Sequence, residues 1–236
     1  MIRTEKLNKS FGALHVLKDV DLDILPGTTT GVVGPNGSGK TTLIKCLLGL
    51  VRPDSGTIYI DGTAVSTDHE YRKNIGYMPQ IGRYPENMKV RELIRLIEDI
   101  RGNQENRSEE LIKYFGIAAN LDARLRNLSG GTRQKVSAIL TLMYQPEILI
   151  FDEPTAGLDP QSSIKFKSLV KTEKAAGKTI LLTTHITSEI EELADNIIFI
   201  VEGKIRFHGP MTELMDSQKT ERLENAVAQL MEEEAA

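Results

Sequence analysis

Gly34-Pro35-Asn36-Gly37-Ser38-Gly39-Lys40-Thr41-Thr42 is the stretch of this 236-residue chain whose residue types and spacing commit it to a chemistry. Glycines at 34, 37 and 39 let the backbone turn through positive φ and come close to an anion. The N–H groups exposed by such a turn, together with the start of a following helix, surround phosphate oxygens. Lys40 brings a point charge for β- and γ-phosphates. Thr41 offers a hydroxyl to Mg²⁺, which favours oxygen ligands, and Thr42 a further hydrogen bond to phosphate. The order Gly, four residues, Gly-Lys, Thr is the phosphate-loop pattern.

A second group of residues suits the chemistry of a bound phosphate. Ile148-Leu149-Ile150-Phe151 is a continuous apolar run, the pattern of a strand buried on both faces, and Asp152-Glu153 follows at its C-terminal end. Ligands of open parallel sheets lie beyond that end. There Asp152 can hold Mg²⁺ through its water shell, and Glu153 can take a proton from an attacking water. His185 ends the strand reading Thr179–Thr184 and has a polar role in the same region. Ser129-Gly130-Gly131-Thr132 opens a helix and reads either as a cap or as a second anion site. Phe11 reads as core or as a ring on which a base stacks; Gln80, leaving a strand after Pro79, reads on its own as solvated.

These residues need a scaffold, and the chain supplies its signals. Ile2–Leu7, Val20–Ile24, Thr28–Val33, Thr57–Ile60 and Ile75–Met78 read as strands, with turns at Pro26-Gly27 and Asp61-Gly62. The run of short strands before residue 80 implies an antiparallel sheet beside the nucleotide site. Helices are expected at Lys40–Leu50, at Val90–Ile100, at Glu109–Phe115 with Ser108 as cap and Gly116 as stop, after Ser129 until Pro146, and at Gln161–Ala176. Tyr84–Met88 reads as a surface loop. Asn196–Val201 and Ile205–His208 form a hairpin, and Glu221–Glu234 an amphipathic terminal helix. The expected fold is α/β: a nucleotide-binding core from residues 1–80 and 146–236 that includes an antiparallel β subdomain, and an inserted α-helical subdomain from 81–145, all in one domain.

Composition narrows the field. With 40% hydrophobic residues the chain can bury one sizeable core or two small ones. A net charge of −4 argues against a broadly basic nucleic-acid binder. The single cysteine, Cys46, permits neither an internal disulfide nor a cysteine-rich zinc site and reads as a small buried residue. His15, His69 and His208 have no context that suggests chemistry. No signal-peptide core opens the sequence, and no run reaches the ~18 apolar residues of a membrane span. The expectation is a cytoplasmic protein that meets a membrane only through a partner.

Phe11, the phosphate loop, Gln80, Leu128-Ser129-Gly130-Gly131-Thr132, Ile148–Glu153, Leu158-Asp159 and His185 occur in one order along the whole chain. In that order and spacing the sequence resembles the nucleotide-binding subunit of an ATP-binding-cassette (ABC) transporter, whose core is a RecA-like phosphate-loop NTPase. The second glycine motif is the specific part of the match. The resemblance implies Mg-dependent ATP hydrolysis with Glu153 as base and His185 and Gln80 near the reacting phosphate. It implies a metal held by Thr41, Gln80 and Asp152, and adenine stacked on Phe11. It implies ATP shared between two copies, with Ser129–Thr132 of one facing the phosphate loop of the other and Asp159 at the interface. The partners implied are a second ATPase subunit, as homodimer or pseudo-dimer, and an integral membrane permease, with no nucleic acid. An ATPase of this fold acting on nucleic acid or ribosomes, or a slow dimerisation switch, are the competing classes; a single cassette with one cysteine disfavours the former, and Glu153 with His185 the latter. Two positions depart from the family: Thr132 stands where Gln is usual, and Phe11 where Tyr is common. Gly130–Ser137 is similar to the subunit associated with copper handling in nitrous oxide reductase maturation, whereas Ala156-Gly157-Leu158-Asp159-Pro160 resembles multidrug, sodium or gliding-type exporter subunits equally well.

Overall fold

The computed structural model describes residues 1–65, 70–102 and 104–235, so His69 lies outside the described residues. Two sheets enclose the first helix. β1 (Ile2–Phe11), β2 (Leu14–Ile24), β4 (Ser55–Ile60) and β5 (Thr63–Ala64) form an antiparallel sheet in the order β2-β1-β4-β5. The second sheet is six-stranded, in the order β10-β9-β3-β8-β7-β6. It contains β3 (Thr29–Val33), β6 (Ile75–Met78), β7 (Ile148–Asp152), β8 (Thr179–Thr183), β9 (Asn196–Val201) and β10 (Lys204–Pro210). All its neighbours run parallel except β10, which pairs antiparallel with β9.

Burial follows the patterning. Every residue of β3, β7 and β8 is buried, as expected of strands covered on both faces. α1 (Lys40–Leu47) lies between the sheets: its Leu43, Ile44, Cys46 and Leu47 join one apolar cluster with Ile2 and Ile58 of the antiparallel sheet and Val32, Ile150 and Ile200 of the parallel one. Burial pushes the Cys46 thiol up to about 11, in keeping with an inert packing role.

The other face of the parallel sheet carries the remaining helices. α2 (Val90–Ile100), α3 (Ser108–Phe115), α4 (Gly130–Leu142), α5 (Pro160–Ala175), α6 (Thr187–Leu193) and α8 (Leu223–Ala235) contribute to a second cluster, with α7 (Met211–Ser217) contributing Leu214. Phe151 and Phe166 meet edge to face in it, centroids 5.2 Å apart. Val90, Leu111 and Val136 share this cluster with Phe151 and Phe199, so the helices of 81–145 pack onto the sheet rather than around a separate core.

Several local expectations change. Ile75–Met78 does not join the antiparallel sheet: it pairs parallel with β7, Met78 opposite Phe151, and extends the core sheet to that edge. Ser108 is the first residue of α3 rather than its cap; its N–H donates to Asn106 Oδ1 at 2.9 Å, and Arg107 occupies the cap position. α1 stops at Leu47, short of Leu50, because Gly49 turns the chain at φ 62°. α4 ends at Leu142, before Pro146, with Gln145 at φ 50°. The 84–88 loop is held at both ends: the Tyr84 hydroxyl donates to Ser137 Oγ at 3.0 Å, and the Leu125 N–H donates to the Met88 oxygen at 2.9 Å; burial raises the Tyr84 pKa above that of a free phenol.

Candidate functional site

The C-terminal ends of four parallel strands converge. Gly34 follows β3, Gln80 lies two residues beyond β6, Glu153 follows β7, and His185 lies two residues beyond β8. The strands end in register, with Val32 opposite Thr183 and Thr183 opposite Asp152. A cleft of about 430 Å³ opens there, lined by Asn36, Gly37, Gly39, Lys40, Thr41, Thr42, Gln80, Asp152, Glu153 and His185. Leu14 and Val16 of β2 complete its wall.

The loop between β3 and α1 is built on close approaches. A Cβ at Gly34 would lie 2.1 Å from the Ile200 carbonyl oxygen. Gly39 sits at φ 112° and a Cβ there would lie 2.9 Å from the Val16 oxygen. Side chains are excluded at both positions, and the loop backbone is held from below by the N–H of Gly203 donating to the Ser38 oxygen at 2.9 Å. Lys40 Nζ donates to the carbonyls of Gly34 (2.7 Å) and Pro35 (2.9 Å). An ammonium has three N–H donors, so one is left to face a phosphate. Partial burial lowers the Lys40 pKa, opposed by the charges of Glu153 and Asp152. α1 has no side-chain cap on its first turn, so those N–H groups are available to an anion.

Across the cleft, Asp152 is buried and its Oδ1 accepts the Thr183 hydroxyl at 2.6 Å. Glu153 leaves the strand at φ 51°, a left-handed conformation uncommon for a residue with a side chain. Its N–H donates to the Thr183 backbone oxygen at 3.0 Å and to the Thr183 hydroxyl at 3.2 Å. Glu153 Oε1 lies 2.5 Å from His185 Nε2, which makes that nitrogen the donor of the contact. Asp152, Thr41 and Gln80 line this same cleft and could offer a carboxylate, a hydroxyl and an amide oxygen, the donor type that suits Mg²⁺, an ion that keeps several waters.

The other residues singled out from the sequence do not line this cleft. Phe11 ends β1, half exposed, opposite Leu14 across the β1–β2 pair. Ser129 caps α4, its Oγ accepting the Thr132 N–H at 3.2 Å and lying 2.9 Å from Thr132 Oγ1. Gly131 packs against the 157–158 backbone, where a Cβ would lie 2.8 Å from the Gly157 oxygen; a Cβ on Gly130 would meet nothing. Asp159 caps α5, accepting the N–H of Ser162 at 2.9 Å and its hydroxyl at 2.6 Å, and faces Lys135 Nζ at 3.3 Å.

Sequence reasoning missed four contributors. Thr183 orients both acidic residues, and its position next to the cleft follows only from the β7–β8 pairing. Gln134 of α4 donates to the carbonyls of Glu153 (3.3 Å) and Pro154 (3.1 Å), tying the second glycine motif's helix to the acidic turn. Leu14 and Val16 reach the cleft on alternate positions of β2, a signal present in the sequence only as strand periodicity.

A family model described as ABC transporter matches residues 17–156. The Nod factor export ATP-binding protein I of Cupriavidus metallidurans is 34% identical over 92% of this chain and 74% of its own length. The glutamine transport ATP-binding protein GlnQ of Bacillus subtilis is 34% identical over 94% of this chain and 96% of its own. Among solved structures, an ATP-binding subunit of an ABC transporter superposes with a TM-score of 0.91 at 28% identity, covering 98% of this chain and 99% of that one. A dimeric ATP-binding cassette in a post-hydrolysis state bound to ADP and phosphate superposes with a TM-score of 0.79 at 25% identity, over 89% of this chain and 98% of that one.

Proposed function

Because this chain belongs to the ABC transporter family of ATP-binding subunits, we propose that it hydrolyses ATP between two copies of itself or of a close relative, each nucleotide held by the phosphate loop of one and the Ser129 helix start of the other. The closed pair drives an integral membrane permease, through which the chain meets the membrane; among the described residues no helix is long and apolar enough to cross one. Residues 81–145 are the helical subdomain that carries the Ser129 motif, mounted on the core of 1–80 and 146–236.

Each role follows from position. The loop amides from Gly34 to Gly39, Lys40 and the hydroxyls of Ser38, Thr41 and Thr42 surround the phosphates, with Pro35 and Asn36 shaping the turn. Phe11, at the rim opposite Leu14, stacks on the adenine. Thr41, Gln80 and Asp152 hold Mg²⁺, which when bound neutralises charge on the β- and γ-phosphate oxygens. Glu153 takes the proton of the attacking water, and His185 donates to a γ-phosphate oxygen. From the partner copy come the Ser129 hydroxyl, the amides of Gly130 and Gly131 and the Thr132 hydroxyl, with Asp159 beside them.

The observation that carries this reading is the convergence of Lys40, Gln80, Asp152, Glu153 and His185 on one cleft at the ends of four strands. The relatives' names cover Nod factor export and glutamine transport, cargoes without shared chemistry. That fits a subunit whose cargo is set by its membrane partner. The test is Glu153→Gln. A lost general base costs about 10²–10⁴ in rate, so turnover falls by that factor while ATP binding stays, and gel filtration with ATP shows a trapped dimer. A variant that remains monomeric with wild-type turnover rejects both the base and the shared nucleotide.

A further inference from the structure

Asp54 lies in the turn that leads from α1 to β4, far from the cleft in sequence, yet it binds three successive residues at the end of β1. Its N–H donates to the Asn8 oxygen at 2.8 Å, its Oδ1 accepts Lys9 Nζ at 2.8 Å, and its Oδ2 accepts the Ser10 N–H at 2.6 Å. The next residue is Phe11. The sheet itself does little to fix this stretch. Pairing of β1 with β4 ends at Asn8 opposite Ser55, and its pairing with β2 shifts register between Leu7 and Lys9 and again between Lys9 and Ser10. The carboxylate therefore holds the strand end where the ladder is irregular. The Lys9 stem is mostly buried, with 15% of its side chain exposed, and Nζ stands 5.3 Å over the Phe11 ring. At that range a cation is attracted to the face of an aromatic ring.

We propose that Asp54 and Lys9 are positioning residues for nucleotide binding: the carboxylate fixes the strand end, and the ammonium it anchors fixes the Phe11 ring in the orientation that meets the base. This rests on the reading of Phe11 as the base's platform and adds what holds the platform. The geometry gives the pair a separable task. Phosphates are gripped by the loop of 34–42, while the bonds of Asp54 and Lys9 go to residues 8–10, to each other and to the ring that meets the base. The Lys9 hydrogen bond, and after it the Ser10 N–H, hold the Asp54 carboxyl below the usual carboxylate range, so the anchor is charged at neutral pH.

The experiment compares ADP with inorganic pyrophosphate, both with Mg²⁺, by calorimetry on the full chain. Asp54→Asn, Lys9→Met and Phe11→Ala are each expected to weaken ADP by about tenfold, the scale of one stacked base, and to leave pyrophosphate unchanged; Lys9→Arg restores ADP binding. A merely structural turn would move both ligands together, and that result overturns the proposal. Wild-type ADP affinity in Asp54→Asn and Lys9→Met beside a loss in Phe11→Ala also overturns it while sparing the platform. Wild-type affinity in Phe11→Ala removes the platform itself. If Asp54→Asn fails to fold, Lys9→Met, which keeps the buried stem, decides alone.

Discussion

The first turn of α1 is preceded by Gly39 in the left-handed region and has no side-chain cap, whereas that of α4 is capped by Ser129, which already accepts the Thr132 N–H. Both are glycine-rich helix starts, and both carry the positive end of a helix dipole. Around the first, this chain gathers a lysine, two carboxylates, an amide and an imidazole. Around the second it gathers packing, capping and ion-pair contacts that are spent within the chain: Gly131 against Gly157, Gln134 on the acidic turn, Arg133 on Glu86 and Lys135 against Asp159. On the proposed function, that difference separates a phosphate site assembled within one chain from a half-site that a second copy completes. The two regions are also tied together: Gln134 donates to the carbonyls of Glu153 and Pro154.

The sharpest break in this comparison is Lys40→Ala. Removing a charge-assisted contact worth about 1.5–3 kcal/mol should weaken nucleotide binding between about tenfold and a hundredfold in the isolated chain, measured by calorimetry with ADP. Unchanged affinity would mean that the α1 start is not the phosphate site. The corresponding change at α4, Ser129→Ala, should leave ADP affinity of the isolated chain at wild type and lower only ATP turnover. Untouched turnover in that variant would remove the α4 start from the reaction.

The two glycines of the second motif allow a finer test. A Cβ at Gly131 would press on the Gly157 oxygen at 2.8 Å, backbone that cannot move aside cheaply, whereas a Cβ at Gly130 meets nothing. Overpacking of this kind costs about 1–3 kcal/mol, so Gly131→Ala should lower the melting temperature. Gly130→Ala should keep it, since alanine is the better helix former, and yet lose turnover about tenfold, because the added methyl sits where a partner's phosphate must approach. Equal behaviour of the two variants would dissolve the distinction between a glycine needed by the fold and one needed by a ligand.

What could be read from the sequence divides along the same line. The phosphate loop, the buried β7 run with its acidic end and the bounds of α2 were legible because each is a local pattern: glycine spacing, an apolar run, helical periodicity. The membership of β6 was not, because four residues that pair with β7 look the same as four residues of a hairpin. The left-handed backbone of Glu153 and the double service of Thr183, to the Asp152 carboxylate and the Glu153 N–H, belong to the junction of β7 with the distant β8. α6 and α7, seven residues each, are too short for periodicity to stand out. Ser129 was legible as a cap, but that Gly131 is filled from below and Gly130 is not required the packed backbone.

Asp159 offers the smallest effect and a test of how the α4 and α5 starts are joined. The Ser162 hydroxyl first, then the Ser162 N–H and the Lys135 ammonium, bring its carboxyl down to about 2. A depressed carboxylate favours the fold above its ordinary value near ~3.9, and that contribution disappears as pH falls through about 2; between those values the folded protein keeps a charge that the unfolded chain has lost. A carboxyl-carbon titration followed by NMR should therefore find the Asp159 midpoint near 2, well below that of an unpaired surface aspartate. Lys135→Met should raise it only slightly, because Lys135 is the lesser cause, while Ser162→Ala should raise it more. If Lys135→Met moved the midpoint further than Ser162→Ala, the ion pair between α4 and α5 would outweigh the cap, and the two helix starts would be coupled by charge rather than by the packing of Gly131 on the 157–158 turn.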